Sequence, residues 1–173
     1  MRWTNRQDDV VALLGVRPGD RVLEVGYGPG GLIRLLVART EAATVIGIDP
    51  APVMRDLAIR ANRDAVRAGR VDLRLGSAGH TGLDDGAVDR VVSVNNVAIW
   101  PDLEAGIDEL HRVVRPGGTV LLAWHGGTAP SRIARGLALP ADKLDGIEKA
   151  LRKRFEDVKR GQLASLDVFV AIR

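Results

Sequence analysis

The 173 residues contain no cysteine, which excludes both a disulfide framework and a thiolate metal site. Aromatic side chains make up only 3% of the chain, so Leu, Val, Ile and Ala must fill the core. No apolar run approaches the roughly 20 residues that a membrane-spanning helix needs. The opening Met1-Arg2-Trp3-Thr4-Asn5 carries no apolar signal segment. One cytoplasmic domain over residues 1–173 is the expectation, with no membrane partner. No His, Asp or Glu cluster has the spacing of metal ligands, so no metal is expected. The net charge of +3 and pI near 9.8 arise without the basic stripe and interleaved aromatics of a nucleic-acid-binding domain. The one basic cluster, Lys149, Arg152, Lys153 and Arg154, reads as the solvated face of a late helix, and no nucleic acid is expected.

What the chain does contain is regular. Apolar, β-branched runs that suit buried parallel strands occur at Arg21–Val25, Thr44–Asp49, Val71–Leu75, Val88–Val94 and residues 119–124. Helical periodicity separates several of them. Leu32, Leu35 and Leu36 form one stripe, Val53, Met54, Leu57, Ala58 and Ala61 a second, and Leu103, Ile107, Leu110 and Val114 a third. Pro116-Gly117-Gly118 is expected to part the third helix from the fifth strand. Such alternation implies right-handed βαβ units on an open parallel sheet. After a helical stretch at 141–154 come two further strands, 155–160 and Leu166–Ile172. The connection 161–165 is far too short for a parallel crossover, so the sheet should close on an antiparallel hairpin. The expected fold is α/β, doubly wound, with seven strands of which one is reversed.

The chemistry concentrates at Glu24-Val25-Gly26-Tyr27-Gly28-Pro29-Gly30-Gly31. This loop follows a strand and opens a helix, where glycines let the backbone approach a ligand beside the first helical amides. Gly26, Gly28 and Gly31 fit the spacing of a dinucleotide site, and Glu24 with Gly26, Gly28 and Gly30 fits an S-adenosylmethionine site. Glycines alone do not decide between them. Glu24 favours the second, because a carboxylate there repels a pyrophosphate but attracts an ammonium and lies near a sulfonium. Two unit charges ~6 Å apart at an effective dielectric of ~20 interact by roughly 3 kcal/mol. Asp49, ending the second strand, can accept from both hydroxyls of a ribose, or can cap the helix begun at Pro52.

Residues 17–30, Arg-Pro-Gly-Asp-Arg-Val-Leu-Glu-Val-Gly-Tyr-Gly-Pro-Gly, resemble motif I of the class I S-adenosylmethionine-dependent methyltransferases, in particular the small type 11 group. Gly47-Ile48-Asp49-Pro50 is similar to that family's ribose-binding acid. Residues 89–95 resemble its fourth strand, and residues 110–118 its later helix–turn signature. The resemblance implies a Rossmann-like methyltransferase fold with S-adenosyl-L-methionine as cofactor. It implies that Glu24, Gly26, Tyr27, Gly28 and Gly30 surround the methionine half, Asp49 the ribose and Pro50 one adenine face. Ser77 and Ala78 would then lie at the adenine edge and Asn95 beside the transferable methyl. Family members often carry an acid at the Ser77 position, so here a hydroxyl or the Ala78 backbone would serve.

Methyl transfer from a sulfonium is an in-line displacement that needs alignment and exclusion of water more than a strong acid or base. No catalytic residue stands out. His125 and His80 are the candidate bases, His111 reads as structural, and Trp100 and Trp3 are candidate walls of a substrate pocket. The expected activity is methyl transfer to a small-molecule acceptor. The alternatives are a protein of the same fold that binds the cofactor without methylating, as sensor, partner subunit or enzyme of other chemistry, and a nicotinamide-dependent oxidoreductase. Residues 1–16 are expected to supply a short lid helix, with either a homodimer completing closure of the pocket or an open site that serves a large acceptor.

Overall fold

A computed structural model describes residues 7–173. Seven strands form one sheet in the order β3-β2-β1-β4-β5-β7-β6: β1 Arg21–Val25, β2 Thr44–Asp49, β3 Val71–Leu75, β4 Val88–Val94, β5 Val114–His125, β6 Asp157–Gln162 and β7 Leu166–Ile172. The first five run parallel, and β7 is antiparallel to both β5 and β6. β7 is therefore the one reversed strand, joined to β6 in an antiparallel hairpin as the short connection requires. Strand order turns back between β1 and β4, the switch point where an open α/β sheet leaves a crevice beyond its carboxyl ends.

Among the described residues seven α-helices flank the sheet: α1 Gln7–Leu14, α2 Gly31–Arg39, α3 Pro52–Ala61, α4 Arg63–Arg67, α5 Leu103–Val113, α6 Arg132–Gly136 and α7 Ala141–Arg152. Two apolar layers result. One joins α1, α2 and Ala58 of α3 to Val22, Val45, Val92, Leu121 and Ala123. The other joins α5 and α7 to Leu23, Ile46, Val91, Leu122 and Phe169. The alternation of Val22 with Leu23 and of Leu121 with Leu122 between layers follows from the period-two side-chain geometry of a strand.

Three expectations need correction. The Pro116-Gly117-Gly118 turn does not precede β5 but lies inside it, where the pairing with β4 shifts register between Val88 and Arg90. Gly117 donates to the Arg173 carbonyl and Arg173 to that of Gly118, so the turn stays part of the sheet. The apolar stripe of α3 is not a core face, because Val53 is 66% exposed and Leu57 is exposed, leaving Ala58 as the buried residue. The sixth strand begins at Asp157 rather than Phe155, whose ring is buried under α7 and packs edge-on against His111 at 5.1 Å.

Three of the four residues of the basic cluster are ion-paired. Arg152 meets Glu148, Lys153 meets Glu104 and Arg154 meets Asp108. At the sheet's amino end, Arg90 donates to the Asp20 carboxylate at 3.0 Å and to the Thr119 hydroxyl at 2.5 Å, all three buried. Beside them Asp89 accepts from the Arg21 amide and pairs with Arg115.

Candidate functional site

The carboxyl ends of β1, β2 and β4 gather most of the residues singled out from sequence. Gly26, Gly28 and Gly30 all take positive φ, at 80°, 51° and 84°, a backbone region that side chains disfavour. Gly26 donates to the Ile48 carbonyl at 2.7 Å and Gly30 to that of Tyr27 at 2.9 Å, which folds the loop back over the end of β2. A Cβ on Gly30 would sit 2.6 Å from the Asn62 amide nitrogen and 2.9 Å from Ala58 Cβ. Asn62 also donates to the Gly30 carbonyl at 3.1 Å, so the end of α3 braces the loop from behind.

Asp49 organises three loops at once. Its Oδ2 accepts from the Gly28 amide at 3.0 Å, its Oδ1 from the Ala51 amide at 2.9 Å, and its carbonyl from the Gly76 amide at 3.2 Å. Ala51 is the N-cap of α3, so Asp49 does more than cap a helix. A carboxylate offers about four acceptor positions, and these two bonds occupy two of them.

Glu24 lies at the end of β1, only 4% exposed, and its Oε2 has no hydrogen-bond partner. Burial first, and the Asp49 charge second, push its carboxyl up to about 8, against the pull of the Ile33 amide. Asn95 ends β4 with φ 55°, the only non-glycine residue at positive φ among the described residues, and its buried Oδ1 also lacks a partner. Native proteins satisfy nearly all buried polar atoms. Two bare acceptors at one sheet end mark a place built to receive donors.

Tyr27 is turned differently from the expectation that it flanks the methionine half. Only its backbone belongs to the loop; its ring is buried in the space left by Gly47 and its hydroxyl donates to the Arg74 carbonyl at 3.2 Å. Burial and then Asp49 hold that phenol up at about 12. Pro50 follows Asp49 directly and is exposed. Ser77 is exposed and exchanges two backbone bonds with His80 at 3.1 Å, while Ala78 is buried. The β3 loop thus comes to Asp49 through Gly76, with the Ser77 hydroxyl free of partners among the described residues.

Of the candidate bases, His80 is exposed in that loop. His125 ends β5, half-buried, with its imidazole pKa lowered by burial. It shares strand parity with Ala123 and so faces the α1–α2 layer, the side to which Glu24 also belongs. Trp100, expected to wall a substrate pocket, lays its ring on Gly106 of α5 and donates from Nε1 to Asn96 Oδ1 at 2.6 Å. Trp3 lies outside the described residues. Helix α1 packs its Val10, Val11 and Leu14 into the α2 layer, and only Gln7 approaches Gly31 at the loop. Asn62 and Asn96, both in contact with loop glycines, were not picked out from sequence, since nothing local to either marks a partner so far along the chain. Among the described residues no group of three or more His, Asp or Glu side chains is placed to hold a metal ion.

This geometry has close parallels. A model of the methyltransferase domain family matches residues 23–122. The uncharacterized methyltransferase YdaC of Bacillus subtilis is 37% identical over 117 residues, covering 68% of this chain and 59% of that protein. The chain spans between 30% and 59% of the length of the curated relatives it matches. Phosphoethanolamine N-methyltransferase 2 of Haemonchus contortus, solved with S-adenosyl-L-methionine, shares the fold at TM-score 0.76 and 16% identity, over 99% of this chain and 52% of that one. The [4+2]-cyclase SpnF superposes at TM-score 0.70 with 25% identity, over 90% of this chain and 60% of that one.

Proposed function

Because the chain belongs to the S-adenosylmethionine-dependent methyltransferase family, we propose that it binds S-adenosylmethionine across the β1–β4 crevice and transfers its methyl group to a small-molecule acceptor. The observation that carries the reading is the bare Oε2 of Glu24 beside the Gly26–Gly30 loop. With Asn95 Oδ1, it offers acceptors to an ammonium, whose positive charge favours loss of the proton that burial keeps on the Glu24 carboxyl. In this reading Glu24, Asn95 and the backbone of Gly26, Tyr27, Gly28 and Gly30 hold the amino-acid half. Asp49 takes the ribose hydroxyls on its open positions, Pro50 lies against one adenine face, and Ser77 and Ala78 border its edge. When bound, the cofactor supplies an electrophilic methyl on a positively charged sulfur.

The protein's part is to bind, align and exclude water. His125, kept neutral by burial, serves as base only for an acceptor that must lose a proton. A homodimer belongs to the same proposal, while of the lid expected over residues 1–16 the first six lie outside the described residues. After β4 Ile99 is 69% exposed and on α6 Ile133 is 76% exposed, and a second copy would cover them. Light scattering at micromolar concentration checks this; a monomer removes the dimer from the proposal.

Calorimetric titration tests the cofactor. S-adenosylmethionine and S-adenosylhomocysteine bind at micromolar concentration and NAD does not; tighter binding of NAD overturns the assignment. A second reading has one specific observation behind it, the likeness to a cyclase. In it the chain binds the same cofactor and does other chemistry, and incubation that never yields S-adenosylhomocysteine from any acceptor would favour it.

A further inference from the structure

Gly106 is the fourth residue of α5, and glycine within a helix costs up to about 1 kcal/mol relative to alanine. The reason is local: a Cβ there would fall 2.5 Å from Cε3 of Trp100, so the helix is pared back to admit the indole. The ring so seated aims Nε1 at Asn96 Oδ1, 2.6 Å away. The Asn96 amide in turn lies over Gly26, occupying the space of a Cβ, with Oδ1 itself 2.7 Å from that point. A continuous line of contact therefore runs from the α5 backbone through Trp100 and Asn96 to the first glycine of the loop. Asn96 also follows Asn95, whose left-handed backbone and bare Oδ1 depend on how this turn is held.

We infer that Trp100 is a positioning residue: its indole N–H fixes Asn96 against Gly26, and affinity for the cofactor depends on that bond. The inference rests on the cofactor reading above. It assigns to Trp100 a task other than lining an acceptor pocket, and it makes Gly106 part of the cofactor site without contact to it.

Titration with S-adenosylhomocysteine tests it. Trp100→Phe keeps a ring on Gly106 but loses the donor, and affinity falls roughly five- to ten-fold, the worth of one hydrogen bond. Gly106→Ala keeps the indole, displaces it, and weakens binding similarly even though alanine favours the helix. Melting temperature separates this from general damage, since a purely structural ring moves the melting point and leaves the affinity of the folded protein alone. Asn96→Ala combined with Trp100→Phe loses no more than the larger single effect, because the pair acts as one unit. Wild-type protein that binds while both Trp100→Phe and Gly106→Ala bind equally well overturns this inference alone. Wild-type protein that binds no S-adenosylhomocysteine overturns the cofactor reading as well.

Discussion

The two ends of the sheet treat polar groups in opposite ways. At the amino end every buried charge has a fixed partner, Arg90 with Asp20 and Thr119, and Asp89 with Arg115 and the Arg21 amide. At the carboxyl end Glu24 Oε2 and Asn95 Oδ1 are buried without one. The same strands span both, so the difference is not one of fold. The amino end uses charge to hold the strands in place, and the carboxyl end holds acceptors in reserve for something outside the chain. An unpaired buried group is costly, and that cost is what supports the proposed cofactor site at this end.

The sharpest way to break the contrast is to unpair the closed end. Asp20→Ala leaves Arg90 buried without a carboxylate, and urea denaturation should report a loss of about 3–5 kcal/mol. Binding per folded molecule should be unchanged. An Asp20→Ala protein of normal stability would mean that the amino end is not closed in the sense argued here.

Next comes the open end. The Glu24 carboxyl is raised in the folded state to about 8 from 4.5, so its contribution to stability is full below the lower value and is lost as pH rises through the higher one. Wild-type stability should therefore fall between roughly pH 4.5 and 8 while that of Glu24→Gln changes less. The variant should be more stable at pH 7 by up to about 3 kcal/mol. It should also bind S-adenosylmethionine more weakly, and wild-type binding near neutral pH should release a proton, seen as a binding heat that varies with the buffer. Equal pH profiles for the two proteins would remove Glu24 from the site.

A smaller effect is expected at Asp49. Losing a charged acceptor costs roughly 1.5–3 kcal/mol, so calorimetry on Asp49→Ala should find S-adenosylhomocysteine weakened by about ten- to a hundred-fold. The least effect should come from the solvated pairs. Lys153→Ala removes a half-exposed contact with Glu104 and should change stability by less than about 1 kcal/mol and binding not at all.

How much of this was legible in the sequence varies with the distance between partners. The first four strands lie where their β-branched runs put them, and the hairpin follows from the brevity of 161–165. The stripe on α3 misled because periodicity reports a face without saying whether anything covers it, and Val53 and Leu57 meet solvent. The place of the Tyr27 ring was not legible because the hole it fills belongs to Gly47, on the next strand. Asn62 and Asn96 were missed for the same reason, each fitting a glycine tens of residues away. One local signal was available: a glycine inside the amphipathic run of α5 asks what it makes room for, and Trp100 lies six residues earlier.

Asp49 carries a consequence for which substitutions this position can accept. Its two carboxylate oxygens reach two amides, of Gly28 and Ala51, from one short side chain. Glutamate has the same charge and the same oxygens, set one methylene farther out, so it cannot meet both amides without moving one loop relative to the other. What the position requires is reach. A change that any charge-based scale scores as mild should therefore behave at this site as a lesion.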